Sequence, residues 1–157
     1  WVLGQLSCNH ALFKDSGVRY IRKILVHVAP GPHDRLVAET ADQLASIYSA
    51  ELTLMRVLPK TVSLTTQAEE YAYLNNIAKR CNAPSERVVI NSERGLEAIA
   101  NATISFDLLV TGAPPQGRFV SFGLGTGEDK LTEMSACSVL RLATPLAQAG
   151  QVGKRLA

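Results

Sequence analysis

The residues best suited to chemistry lie between Phe106 and Lys130, in the stretch FDLLVTGAPPQGRFVSFGLGTGEDK. A short apolar run, Leu108-Leu109-Val110, gives way to a loop with five glycines (Gly112, Gly117, Gly123, Gly125, Gly127) and two prolines (Pro114, Pro115). Residues suited to a helix, Glu128 to Met134, follow. Glycines let backbone N–H groups come close to an anion, and the dipole of a following helix favours negative charge there. The chemistry expected is therefore anion recognition, with the N–H groups around Gly125-Thr126-Gly127 and the Thr126 hydroxyl as a phosphate cradle. A plain helix cap by Thr126 explains the same residues, and Glu128 and Asp129 in the first turn would repel a polyphosphate. Both readings stay open. Arg118 and Ser121 are taken as solvated loop residues. GLGTG lacks the spacing and the strand context of a dinucleotide fingerprint.

Outside this stretch the candidates are sparse. His27 lies in an apolar run, while His10 and His33 read as surface or capping residues. Cys8, Cys81 and Cys137 are too scattered for a disulfide framework and suit reduced thiols in a cytoplasmic setting. Cys8-Asn9-His10 has no second ligand pair at zinc spacing. No Ser-His-Asp order, paired carboxylates or nucleophile motif is present, so no dedicated catalytic apparatus and no metal are expected.

These residues sit in a chain of 157 residues that is 46% hydrophobic, enough for one domain with a substantial core. A net charge of +2, with only 19% charged residues and no basic-aromatic stripe, gives no basis for a nucleic-acid partner. No apolar run approaches the ~18 residues needed to span a bilayer.

The elements that must position the loop alternate strictly. Strands are expected over Tyr20–Ala29, Glu51–Leu58, Arg87–Ile90, Asp107–Thr111 and Cys137–Ala143. Helices are expected from Asp34 as N-cap, over about 66–81, over 93–105 and from about 126 to 135. Their inward faces would carry Leu36, Val37, Ala41, Leu44, Ala45 and Ile47, then Ala68, Tyr71, Leu74 and Ile77, then Leu96, Ile99, Ala100 and Ile104. Such alternation predicts an α/β fold. A five-stranded parallel sheet is doubly wound into a Rossmann-like or flavodoxin-like three-layer sandwich. Ligands of such sheets sit beyond the strands' carboxyl ends where strand order reverses, here the loops after Val28 and after Thr111. Residues 1–17 read as an N-terminal extension or linker with one helical turn, 18–146 as the domain and 147–157 as a flexible tail.

The chain resembles the universal stress protein family over about residues 22–145. The likeness is carried by RKILVHVAPGPHDRLVAETADQLA at the start and LLVTGAPPQGRFVSFGLGTGEDKLTEMSACSVLRL at the end. ATP-binding members have a loop of Gly, two residues, Gly, nine residues, Gly, then Ser or Thr. Gly112 matches its first position and Gly125-Thr126 its last two, while Pro115 replaces the middle glycine. Ala29 stands where the family commonly has an Asp near the ribose, His27 where many members have Pro, and Val57 where the family often contacts adenine. The resemblance implies the adenine nucleotide alpha hydrolase-like fold and a non-enzymatic regulatory or stress-response module. Its ligand would be ATP, AMP or another adenine nucleotide, held by His27, Ala29, Val57, Thr111, Gly112, Gly125, Thr126 and Gly127. It further implies a homodimer through the last strand (Val139, Leu140, Leu142), which is expected at a sheet edge. The alternative is the cytoplasmic regulatory domain of a membrane transporter or channel.

Overall fold

The computed structural model describes residues 7–113 and 127–145. Its elements in chain order are β1 (His10–Lys14), β2 (Lys23–His27), α1 (Asp34–Tyr48), β3 (Glu51–Leu58), α2 (Leu64–Ala78), β4 (Ser85–Asn91), α3 (Gly95–Ala102), β5 (Leu108–Gly112), α4 (Gly127–Met134) and β6 (Ser138–Ala143). One sheet has the order β1-β6-β5-β2-β3-β4. The strands from β2 onward pair in parallel, and β1 runs antiparallel to β6.

Two apolar layers account for this arrangement. Side chains alternate along a strand, so Ile24 and Val26 face one way and Leu25 the other. Ile24, Val26, Leu52, Leu54 and Val110 pack under Val37, Ala41 and Ala45 of α1 and Leu74 and Ile77 of α2. Leu25, Met55, Leu109 and Val139 pack under Ile99 and Ala100 of α3 and Leu131 of α4. A strand covered on both faces must be apolar throughout, which is what the runs in β2 and β5 supply. The helices are closed locally. The Ser63 side chain accepts from the Thr66 backbone N–H at the start of α2, and Ser49, in the left-handed region at φ 52°, ends α1 by donating its N–H to the Ala45 carbonyl.

The parallel, doubly wound sheet agrees with the expectation from sequence, and the strand count is corrected from five to six. The added strand, β1, falls within residues 1–17, expected to be an extension with a helical turn. It is held by its partners. His10 to Lys14 register against Ala143 to Val139, the Ser138 hydroxyl meets the Ser16 N–H at 2.9 Å, and Lys14 Nζ donates to the Thr132 and Ser135 carbonyls near the end of α4. A consequence is a second correction: β6, with Val139, Leu140 and Leu142, is not a sheet edge. β1 covers it, and β1 and β4 are the edges. Four expected inward residues are also exposed, Ala68 and, among the large side chains, Ile47 at 72%, Ile104 at 71% and Tyr71 at 40%. Asp107 has a structural role, its Oδ2 accepting from the Arg22 and Lys23 N–H groups at the foot of the sheet.

Candidate functional site

The strand order reverses between β2 and β5, which are neighbours in the sheet although α1 to α3 separate them in the chain. The helices that follow them in the chain, α1 and α4, pack on opposite faces of the sheet, and a cleft lies at the strands' carboxyl ends, as expected of such a switch point. The cleft encloses about 130 Å³. It is lined by the turn after β2 (Val28 to Asp34), by the end of β5, and by Leu96 and Ile99 of α3 and Leu131 of α4.

Four of the residues singled out from sequence meet here: His27, Ala29, Thr111 and Gly112. Val57 does not line this cleft; it is partly buried against the α3 side of the core, 3.8 Å from where a Cβ on Gly95 would lie. Gly125 and Thr126, like Pro115, lie outside the described residues, and Gly127 is the first residue of α4.

Gly112 has a packing role. A Cβ there would sit 3.2 Å from His33 Cβ and 3.7 Å from Val37 Cγ2, so the absence of a side chain is what lets α1 begin against β5. His33, expected at the surface, is 7% exposed. The Thr144 N–H donates to its Nδ1 at 3.0 Å, and the Thr144 hydroxyl lies 2.9 Å from the same nitrogen. An accepting Nδ1 places the ring proton on Nε2. Burial, and then the charge of His10, lower the His33 pKa from its ordinary value, against the opposing pull of Asp34.

The floor of the cleft is a row of polar residues across three strands. His27 of β2 pairs in register with Thr111 of β5, and Thr111 with Arg141 of β6. Registered partners share a face of the sheet, and all three line the cleft. Burial first, and the Arg56 charge second, lower the His27 pKa from 6.5 to about 4, so the imidazole is neutral at physiological pH. Arg141 is 8% exposed, and its Nη2 donates to Thr132 Oγ1 at 3.0 Å. Among the described residues, neither the His27 ring nor the Thr111 hydroxyl makes a side-chain hydrogen bond.

Beside the cleft a polar network ties α1 and α2 to the sheet. Arg56 grips Glu70 with both fork nitrogens, at 2.7 and 3.1 Å, and donates to the Val28 carbonyl at 3.1 Å. The Tyr73 hydroxyl donates to Asp34 Oδ2 at 3.0 Å. Burial, with the neighbouring Asp34 carboxylate, raises the Tyr73 pKa. Sequence reasoning passed over Arg56, Arg141 and Asp34 as site residues. The signal for Arg141 was present: it is a lone charge between Leu140 and Leu142 in an otherwise apolar strand.

Among the described residues no group of three or more His, Cys, Asp or Glu is placed to hold a metal ion, and no helix is long and apolar enough to cross a membrane. Burial raises the Cys81 and Cys137 thiol pKa values, which keeps them protonated and poorly nucleophilic.

No protein-family model matches the sequence, and no curated protein does. Solved structures do match the fold. A universal stress protein in complex with cAMP superposes with a TM-score of 0.64 at 21% identity, covering 80% of this chain and 98% of that one. The universal stress protein UspA from Lactobacillus plantarum gives 0.56 at 16%, covering 78% and 98%. A universal stress protein from Archaeoglobus fulgidus gives 0.63 at 12%, covering 78% and 94%. Identities this low speak for architecture, and with the sheet order and the position of the cleft they lead to one conclusion: this chain has the universal stress protein fold.

Proposed function

We propose that the chain is a regulatory module of the universal stress protein type, without catalytic activity of its own, that binds an adenine nucleotide in the cleft between β2 and β5. The observation that carries the reading is the cleft itself. It lies at the switch point of the sheet, and residues from two distant parts of the sequence converge on it, His27 and Ala29 with Thr111 and Gly112. One protein of the same fold is in complex with cAMP, which supports an adenine ligand. Ala29 offers no carboxylate for a ribose and Pro115 no N–H for a phosphate, so affinity for ATP should be modest. Calorimetry on the purified chain with ATP, AMP and cAMP tests this, together with a search for nucleotide retained through purification. The Gly125→Asp variant, which adds a charge and a Cβ at the second matched glycine, should abolish binding. Unchanged binding in that variant would remove Gly125 from the site.

The module is also proposed to act as a homodimer. Pairing through β6 requires β1 to leave its place, because β1 occupies the hydrogen-bonding edge of β6.

A further inference from the structure

The side chains of β1 hold it only loosely. None of its five residues is buried, and Leu12 and Phe13 are 36% and 56% exposed. Its place rests on the backbone ladder with β6 and, among its own side chains, on Lys14. Lys14 Nζ donates to the Thr132 carbonyl at 2.7 Å and to the Ser135 carbonyl at 3.3 Å. The last carbonyls of a helix lack partners within it, and the helix dipole favours a cation beside them. α4 has no basic residue in its own last turn, so β1 supplies that cation.

The same threonine is tied to the cleft. The Thr132 hydroxyl accepts from Arg141 Nη2 at 3.0 Å, and Arg141 lines the cleft. Leu131, the preceding residue of α4, is a cleft wall and is buried. Leu12 of β1 pairs in register with Arg141, so the two share a face of the sheet. β1 therefore reaches the cleft by two routes, from Lys14 through Thr132 to α4 and Arg141, and from Leu12 to Arg141 beside it. With β1 released, α4 loses the cation at its end and Arg141 loses its neighbour on the edge side. A ligand that fits the supported cleft better than the unsupported one favours the state with β1 in place.

Resting on the nucleotide reading of this cleft, we propose that nucleotide binding holds β1 on β6 and so closes the β6 edge to pairing with a second copy of the chain. Lys14 and Leu12 are positioning residues, outside the lining of the cleft. The coupling is reciprocal. Release of β1 weakens the nucleotide by the factor by which the nucleotide secures β1.

The test is residue-resolved hydrogen–deuterium exchange on the full chain, with and without a saturating concentration of whichever of ATP, AMP and cAMP binds tightest by calorimetry. The β1 amides that bond to β6 should slow about fivefold or more, the low end for coupled sites. An uncoupled β1 opens without disturbing the cleft. Its amides would then exchange equally fast with and without nucleotide while those of β2 and β5 slow. That result would overturn the coupling and leave the nucleotide reading standing. Binding of none of the three would bring down both. Lys14→Met keeps the aliphatic stem and removes the cation. It should weaken the nucleotide about fivefold and remove most of the ligand's protection of β1, and Lys14→Arg should restore most of both. A Lys14→Met protein shown by thermal melting to be folded, with affinity and β1 protection unchanged, would likewise overturn the coupling. Should that variant fail to fold, the exchange measurement on the unaltered protein decides alone.

Discussion

Replacing Gly112 by alanine separates two roles that a glycine at the mouth of a site can have. In the phosphate-cradle role the cost appears only when ligand is present. In the packing role it appears in the free protein. The geometry favours packing. The new Cβ would lie 3.2 Å from His33 Cβ, tighter than ordinary contact, with Val37 Cγ2 at 3.7 Å and His33 Cδ2 at 3.8 Å. His33 has little room to retreat. Its carbonyl accepts the Val37 N–H at 2.9 Å, its ring is held by the Thr144 N–H at 3.0 Å, and it is buried. Overpacking of this kind costs about 1–3 kcal/mol. The backbone φ at Gly112 lies outside the left-handed region, so alanine also restricts the unfolded chain and returns about 0.4–1 kcal/mol. The net expectation is a loss of about 1–2 kcal/mol. For a chain of this length that lowers the melting temperature by about 2–8 °C, measured calorimetrically without nucleotide. Gly31→Ala is the internal control. Among the described residues its Cβ would meet only the Ala29 carbonyl oxygen, at 3.7 Å, so its melting point should hold or rise slightly. A Gly112→Ala protein that melts at or above the unaltered temperature would refute the packing account and return Gly112 to the ligand.

Three further expectations follow from named contacts. His27 has its pKa lowered from 6.5 to about 4, so the folded chain refuses a proton that the unfolded chain accepts below pH 6.5. Stability is therefore fully present above pH 6.5 and is lost as pH falls towards 4. At about 1.4 kcal/mol per pH unit, reduced because part of the ring opens to the cleft, the loss is about 2 kcal/mol. Urea unfolding at pH 7.5 and 4.5 should show a steeper fall for the unaltered protein than for His27→Gln, and equal falls would contradict it. Asp42 is 6% exposed and accepts from the Asn82 N–H, the Ala83 N–H and the Asn82 side chain at 2.8–2.9 Å. Burial pushes its carboxyl pKa up, but these three bonds outweigh burial and hold it low. Asp42→Ala strands two backbone donors and should cost about 2–4 kcal/mol by chemical denaturation, whereas a loss under about 1 kcal/mol would mean that solvent replaces the bonds. Deleting residues 1–15 strips β1 from β6 and exposes a row of unpaired backbone groups. Sedimentation should then show concentration-dependent dimers that the full chain forms less readily, and a strictly monomeric truncated chain would count against pairing through β6.

How far the sequence disclosed this molecule depended on what each element answers to. β2 and β5 were legible because strands buried on both faces must be apolar throughout, and Ile24-Leu25-Val26 and Leu108-Leu109-Val110 are. Their placement side by side followed from alternation of strands and helices, and so did the cleft. β1 was not legible. HALFK has no clear alternation of its own, and it is a strand because β6 offers an open edge. Ile47, Tyr71 and Ile104 continue a helical apolar pattern but run past the part of the sheet that their helices cover. His27 and Gly112 were found as site residues, and their neighbours His33 and Arg141 were not. The bond that holds each of these two comes from a residue distant in the sequence or on another element, Thr144 for His33 and Thr132 for Arg141.

β1 also shapes the order in which the molecule can assemble. Three of the parallel pairings, β2 with β3, β3 with β4 and β5 with β6, close through short excursions over a single helix, while β2 and β5 meet across three. β1 instead finds its place against residues that come more than a hundred positions later, as the 122-residue separation between Ser16 and Ser138 records. During synthesis the segment carrying Leu12 and Phe13 leaves the ribosome early and its partner strand late. The entropy of closing so long a loop must be met before any of its hydrogen bonds form. The rest of the sheet can form without it. This edge should therefore be the last to dock during folding and the first to open, and its amides should exchange with solvent well before those of β2 and β5.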